Sequence, residues 1–168
     1  MVRWAKFAPL GKRGFMGVNP DVPYGMVSMV EYMREANDRT WLAIQIESPE
    51  AVEHTRAIAE VEGVDLVFFE PTDYSILSGV PGQMEGEVSE AMRHICRETL
   101  AAGKRFGTFV TNVEQAQRGL NLGASLICYG MDILFLKAAL ENAKQQLSAL
   151  GFTFGPPPNI QSILDRLE

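Results

Sequence analysis

Between Trp41 and Leu150 the apolar positions fall in blocks rather than singly. A short β-rich apolar run, a polar break and a helix-like stretch follow one another, and this pattern occurs four times. The first run is WLAIQIE (41–47); Ser48 then stands as N-cap before Pro49 in a first helical turn, and the helix is predicted to reach about residue 61. The second run, VDLVFF (64–69), leads into a long loop carrying Gly79, Pro81 and Gly82, then a helix over about 88–102. The third is RFGTFV (105–110), with Asn112 capping a helix over about 113–122. The fourth is SLICYG (125–130), with Asp132 placed to cap a helix over about 133–150.

Each predicted helix stops at a glycine before the next segment, at Gly63, Gly103, Gly123 and Gly151, which is the usual signature of a helix C-terminus. Continuous apolar strands alternating with helices predict a parallel sheet covered by its helices. The fold class expected is therefore α/β, a partial (β/α)8 barrel of about four parallel β/α units. Eight such units close a barrel in about 250 residues, whereas this chain has 168. Ahead of the units lie a Gly-rich stretch, GKRGFMG (11–17), and one helix-like run, MVSMVEYMREAND (26–38). Residues 1–154 are read as the barrel half with its leading helix, and 155–168 as a Pro-rich tail (GPPPN) with a short helix. An open parallel edge predicts a homo-oligomer or a complementing barrel half as partner.

Composition narrows the function classes. The chain is 46% hydrophobic and 21% charged with net charge −6, which argues against nonspecific nucleic-acid binding. No apolar run has the length of a membrane span, and MVRWAKFAPLGKRG lacks the apolar core of a signal peptide. Cys96 and Cys128 are too few and too distant for a zinc or disulfide framework and read as small core residues. A reduced, cytoplasmic setting is the expectation.

In parallel α/β folds, chemistry gathers at the carboxyl ends of the strands. There the sequence places Glu47, then Glu70 and Asp73, then Thr111 and Asn112, then Asp132. Carboxylates without neighbouring His or Cys suit Mg²⁺ or Mn²⁺ better than zinc. Glu47, Asp73 and Asp132 also have a plainer reading as helix caps, which is preferred for Asp132, whereas Glu70 reads as exposed or pocket-lining rather than as a ligand.

Three stretches together resemble the C-terminal half of the HpcH/HpaI aldolase family: IQIESPEA (44–51), VEGVDLVFFEPTDYS (61–75) with GVPG (79–82), and the run from AGKRFGTFVTN to ILFL (102–136). GKRGFMG is similar to the Arg-Gly loop that precedes that half. The resemblance implies a metal-dependent class II pyruvate aldolase of the phosphoenolpyruvate/pyruvate barrel superfamily. Such an enzyme cleaves 4-hydroxy-2-oxo acids to pyruvate and an aldehyde through a metal-stabilised enolate. It further implies Glu47 and Asp73 as ligands of a divalent metal (Mg²⁺ or Mn²⁺), with the backbone N–H groups of Thr72 and Asp73 holding the substrate carboxylate.

The same resemblance exposes departures. Glu70 stands where the family usually has glycine, and its side chain is expected to narrow or recharge the pocket or to turn outward. Tyr74 stands where the family usually has leucine and is expected to alter the pocket wall. The family's catalytic histidine and arginine belong to the half that has no counterpart here, so no catalytic residue is assigned, and Arg13 is not that arginine. The alternatives to an aldolase are an inactive remnant or partner-binding half-barrel, or another pyruvate-enolate reaction on the same scaffold. His54 is expected at the surface. His94 and Cys96, two apart on a helix, face different ways and are not a nucleophile pair. Met26, Met29 and Met33 read as a buried stripe or a subunit contact.

Overall fold

A computed structural model describes residues 1–155. It divides into two compact units, Met1–Tyr129 and Gly130–Glu168. The Pro-rich segment beyond Gly155 and its expected short helix lie outside the described residues.

The first unit is built on one parallel four-stranded sheet in chain order: β1 (Ala43–Ile46), β2 (Leu66–Phe69), β3 (Arg105–Val110) and β4 (Leu126–Tyr129). All four predicted strands are present, and β1, β2 and β4 are shorter than their apolar runs. Chain order without strand skipping is what successive β/α units produce when each turns back beside the last. The helices are α1 (Val2–Ala5), α2 (Met29–Arg39), α3 (Pro49–Glu53), α4 (Thr55–Ala59), α5 (Pro71–Leu77), α6 (Glu87–Ala101) and α7 (Val113–Leu122). A separate helix, α8 (Asp132–Ala149), belongs to the second unit.

Strand periodicity sorts the sheet into two faces. Ile46, Val67, Phe69 and Phe106 are fully buried and pack with Ala59, Val88, Ala91, Ile95 and Cys96 from the helices, with Ile127 partly buried beside them. Burying each large side chain in that cluster contributes about 1.5–3 kcal/mol. The opposite face carries the register row Gln45, Phe68, Gly107 and Leu126. Gln45 and Leu126 are exposed there and Phe68 is half-buried. A Cβ on Gly107 would sit 3.0 Å from Leu126 Cβ and 3.1 Å from Phe68 Cδ2, so glycine lets those side chains flank it. This is the layout of a barrel segment, with helices outside and a lumen-type face inside.

Local chemistry explains the breaks. The helix predicted from Pro49 to about residue 61 is interrupted at His54 (φ −100°, ψ 9°). There the buried Thr55 hydroxyl donates to the Val52 carbonyl at 2.7 Å, tightening the turn and drawing on a carbonyl that a straight helix would use. The four glycines predicted to end helices all have positive φ, from 72° to 109°. The stretch expected as a loop after β2 opens instead with α5.

The N-terminal segment is held by packing rather than periodicity. Phe7, Phe15 and Tyr32 form a ring cluster with centroids 5.9–6.4 Å apart, and Arg13 lies over Phe7 at 4.7 Å. The Lys6 ammonium donates to the carbonyls of Asn37 (2.8 Å) and Thr40 (2.5 Å), closing the C-terminus of α2. Met26 and Met29 are 80% and 53% exposed and Met33 is half-buried, so of the two readings of the methionine run the buried stripe does not hold.

Candidate functional site

Parallel pairing of β1 with β2 places Ile46 beside Phe69. The next residue of each strand, Glu47 and Glu70, therefore leave the sheet at the same level, and the Glu70 N–H donates to the Ile46 carbonyl at 3.1 Å. Ser48 caps α3, its hydroxyl accepting from the Ala51 N–H at 3.3 Å, with Pro49 in the first turn. That cap turns the chain sharply after Glu47. Glu47 is half-buried and accepts a hydrogen bond from Gln45 Nε2 at 2.5 Å. Gln45 stands on the lumen-type face of β1, and its bond holds the Glu47 carboxylate at that side.

Glu70 is the N-cap of α5, and its carboxylate accepts from the backbone N–H of Thr72 at 3.2 Å. Pro71 occupies the first turn, where its missing N–H costs nothing. Asp73 lies one turn into the same helix and is exposed, as is Thr72. Burial pushes the Glu70 carboxyl above its ordinary range; hydrogen bonds from Thr72 pull it back, and the Asp73 and Glu47 charges add to the rise. Glu47, Glu70 and Asp73 thus share one local field at the carboxyl ends of β1 and β2.

The remaining strand-end groups have structural partners. Asn112 Oδ1 accepts from the Gln115 N–H at 2.9 Å, and Gln115 Oε1 accepts from the Thr111 N–H at 2.8 Å, a reciprocal cap of α7. Asp132, expected to cap this last helix, is instead the first residue of α8. Met131 is the N-cap, no side chain among the described residues caps α8, and the Asp132 carboxylate accepts only from the adjacent Ile133 N–H at 2.7 Å. His54 is exposed. His94 meets Arg97 at 2.9 Å, whereas the Cys96 thiol points to the Leu122 carbonyl at 3.1 Å, so the two form no pair. Burial raises the Cys96 thiol pKa. Cys128, expected in the core, is exposed: even positions of β4 lie on the uncovered face.

Two expectations change. Tyr74 does not line the pocket; it is buried in the helix-side core, its ring 5.5 Å from Phe69. Glu70 folds back to bond its own helix, a role the sequence signalled through the same cap-then-proline pattern as Ser48-Pro49. Among the described residues, no group of three or more His, Cys, Asp or Glu side chains gathers to hold a metal ion. A cation here would have to be held by two carboxylates with water or substrate oxygens, a set that suits Mg²⁺ and Mn²⁺.

The family described as HpcH/HpaI aldolase/citrate lyase matches residues 16–139. The hydroxypyruvate/pyruvate aldolase of Delftia acidovorans is 40% identical over 144 residues, 84% of this chain and 53% of that protein. The 2-keto-3-deoxy-L-rhamnonate aldolase of Klebsiella pneumoniae is 35% identical over 143 residues, with the same shares. An HpcH/HpaI aldolase structure from Desulfitobacterium hafniense superposes with TM-score 0.75 at 29% identity, covering 94% of this chain and 60% of that one. The chain spans about half the length of the curated relatives it matches. With its motifs in order, four barrel-type units and a matched core, the chain belongs to the HpcH/HpaI aldolase/citrate lyase family.

Proposed function

We propose that this chain carries the metal-binding half of a class II aldolase that cleaves 4-hydroxy-2-oxo acids to pyruvate and an aldehyde. The carrying observation is the side-by-side exit of Glu47 and Glu70 from β1 and β2, with Asp73 one turn further on and its charge felt at Glu70. Relatives named as hydroxypyruvate/pyruvate and 2-keto-3-deoxy-L-rhamnonate aldolases support the substrate class.

Glu47 and Asp73 are the proposed ligands of a Mg²⁺ or Mn²⁺ ion, which when bound would polarise the keto oxygen as a Lewis acid. Gln45 fixes the Glu47 carboxylate through its 2.5 Å bond. The N–H groups of Thr72 and Asp73 would orient the 2-oxo acid carboxylate. Glu70 already accepts the Thr72 N–H, so an incoming carboxylate competes with it. No residue of this chain is assigned the proton transfers, and a second copy or a complementing half is the proposed partner that closes the barrel.

Glu70 also favours a second reading, a chain that binds metal and 2-oxo acid without turnover. Purified chain with Mn²⁺ and a 4-hydroxy-2-oxo acid separates the two. The aldolase reading expects pyruvate release that Glu47→Gln abolishes. Binding of Mn²⁺ and oxalate with no pyruvate above the Glu47→Gln control favours the second reading.

A further inference from the structure

A cavity of about 330 Å³ opens between α6 and α7, over the helix-side face of β3, and reaches Pro71 at the start of α5. That volume is at the small end of ligand pockets, which run from about 300 to 1,000 Å³. Val88 and Met92 of α6 give it apolar walls. Thr108 Oγ1 on its floor donates to the Phe69 carbonyl at 3.2 Å, and the lining amides Gln115 and Asn121 accept from Thr111 and Gln117.

The mouth differs from the floor. Arg118 of α7 is paired with Glu85, which cancels its charge. Arg93 of α6, also at the mouth, bonds only the Ser89 hydroxyl among the described residues, at 2.8 Å, and has no carboxylate partner. One uncompensated guanidinium beside an apolar hollow matches a ligand with an apolar tail and a single anionic head. We infer that this cavity is an accessory binding site for a small amphiphilic carboxylate, with the tail against Val88 and Met92 and the head on Arg93. The inference does not rest on the proposed aldolase chemistry.

Calorimetric titration of the chain with octanoate, and with octanol as the uncharged match, tests this directly. Saturable octanoate binding at one site is expected, tighter than octanol by about tenfold, or about 1.4 kcal/mol. The methyl resonances of Met84 and Met92, which line the cavity, should shift, and those of exposed Met16 and Met26 should not. Arg93→Gln should bring octanoate down to the octanol level and leave octanol unchanged, because the walls remain. Ser89→Trp should block both. Circular dichroism establishes that each variant is folded, and if Ser89→Trp does not fold, the Arg93→Gln comparison decides. Absence of binding, equal affinity for the two probes, or an Arg93→Gln affinity matching the unaltered chain would overturn the assignment.

Discussion

The Glu70 carboxylate accepts the backbone N–H of Thr72 at 3.2 Å, so the chain satisfies with its own side chain a donor that the proposed function offers to a substrate carboxylate. Glu70→Gly should free that donor at little structural cost, because glycine is itself among the residues preferred at an N-cap. Oxalate affinity measured with Mn²⁺ present should rise several-fold. Unchanged affinity would mean that the Thr72 N–H does not take part in binding.

Glu70 also fixes a direction of pH dependence. Its folded pKa is raised, mainly by burial, with Asp73 and Glu47 adding to the rise. Within the window between the unfolded and folded values the native state holds the extra proton, so stability falls as pH rises through the folded pKa. Stability measured against pH in a chelator should show the unaltered chain losing ground to Glu70→Gln as pH climbs above about 4.5. A constant difference between the two would contradict the shift.

Gly107 separates Phe68 from Leu126 on the uncovered sheet face. Gly107→Val should overpack that row and cost about 1–3 kcal/mol in chemical denaturation. A neutral effect would mean that the face is loosely packed at this level.

These features were unequally visible in the sequence. The four strands stood out because parallel strands buried against helices read as continuous apolar runs, and RFGTFV matches β3 residue for residue. Glu47 and Asp73 could be singled out as strand-end acids. Three things were hidden. Helix α5 has only seven residues, and Gly79, Pro81 and Gly82 just beyond it make the region look like a loop. The break at His54 depends on a Thr55 hydroxyl bond that hydrophobic periodicity does not register. The first 28 residues owe their shape to contacts such as Phe7–Tyr32, which join positions far apart in the chain. Cys128 was misplaced because an apolar run does not say which strand face lacks a cover.

That face makes the two thiols distinguishable. Cys128 is exposed, while Cys96 is buried, bonded to the Leu122 carbonyl and held protonated by its surroundings. A thiol-reactive chromophore should modify Cys128 in the native protein and reach Cys96 only on unfolding. Equal rates at both would place Cys96 outside the core. Protection of Cys128 that disappears on dilution would point to an assembly covering the sheet.

Glu47 and Asp73 are proposed to bind one hard cation together. Mn²⁺ binding to the 168-residue chain, followed by electron paramagnetic resonance, tests it without any need for turnover. One site per chain is expected, weakened at least about tenfold by either Glu47→Gln or Asp73→Asn, a change of about 1.4 kcal/mol. Manganese affinity unaltered in both variants would contradict it.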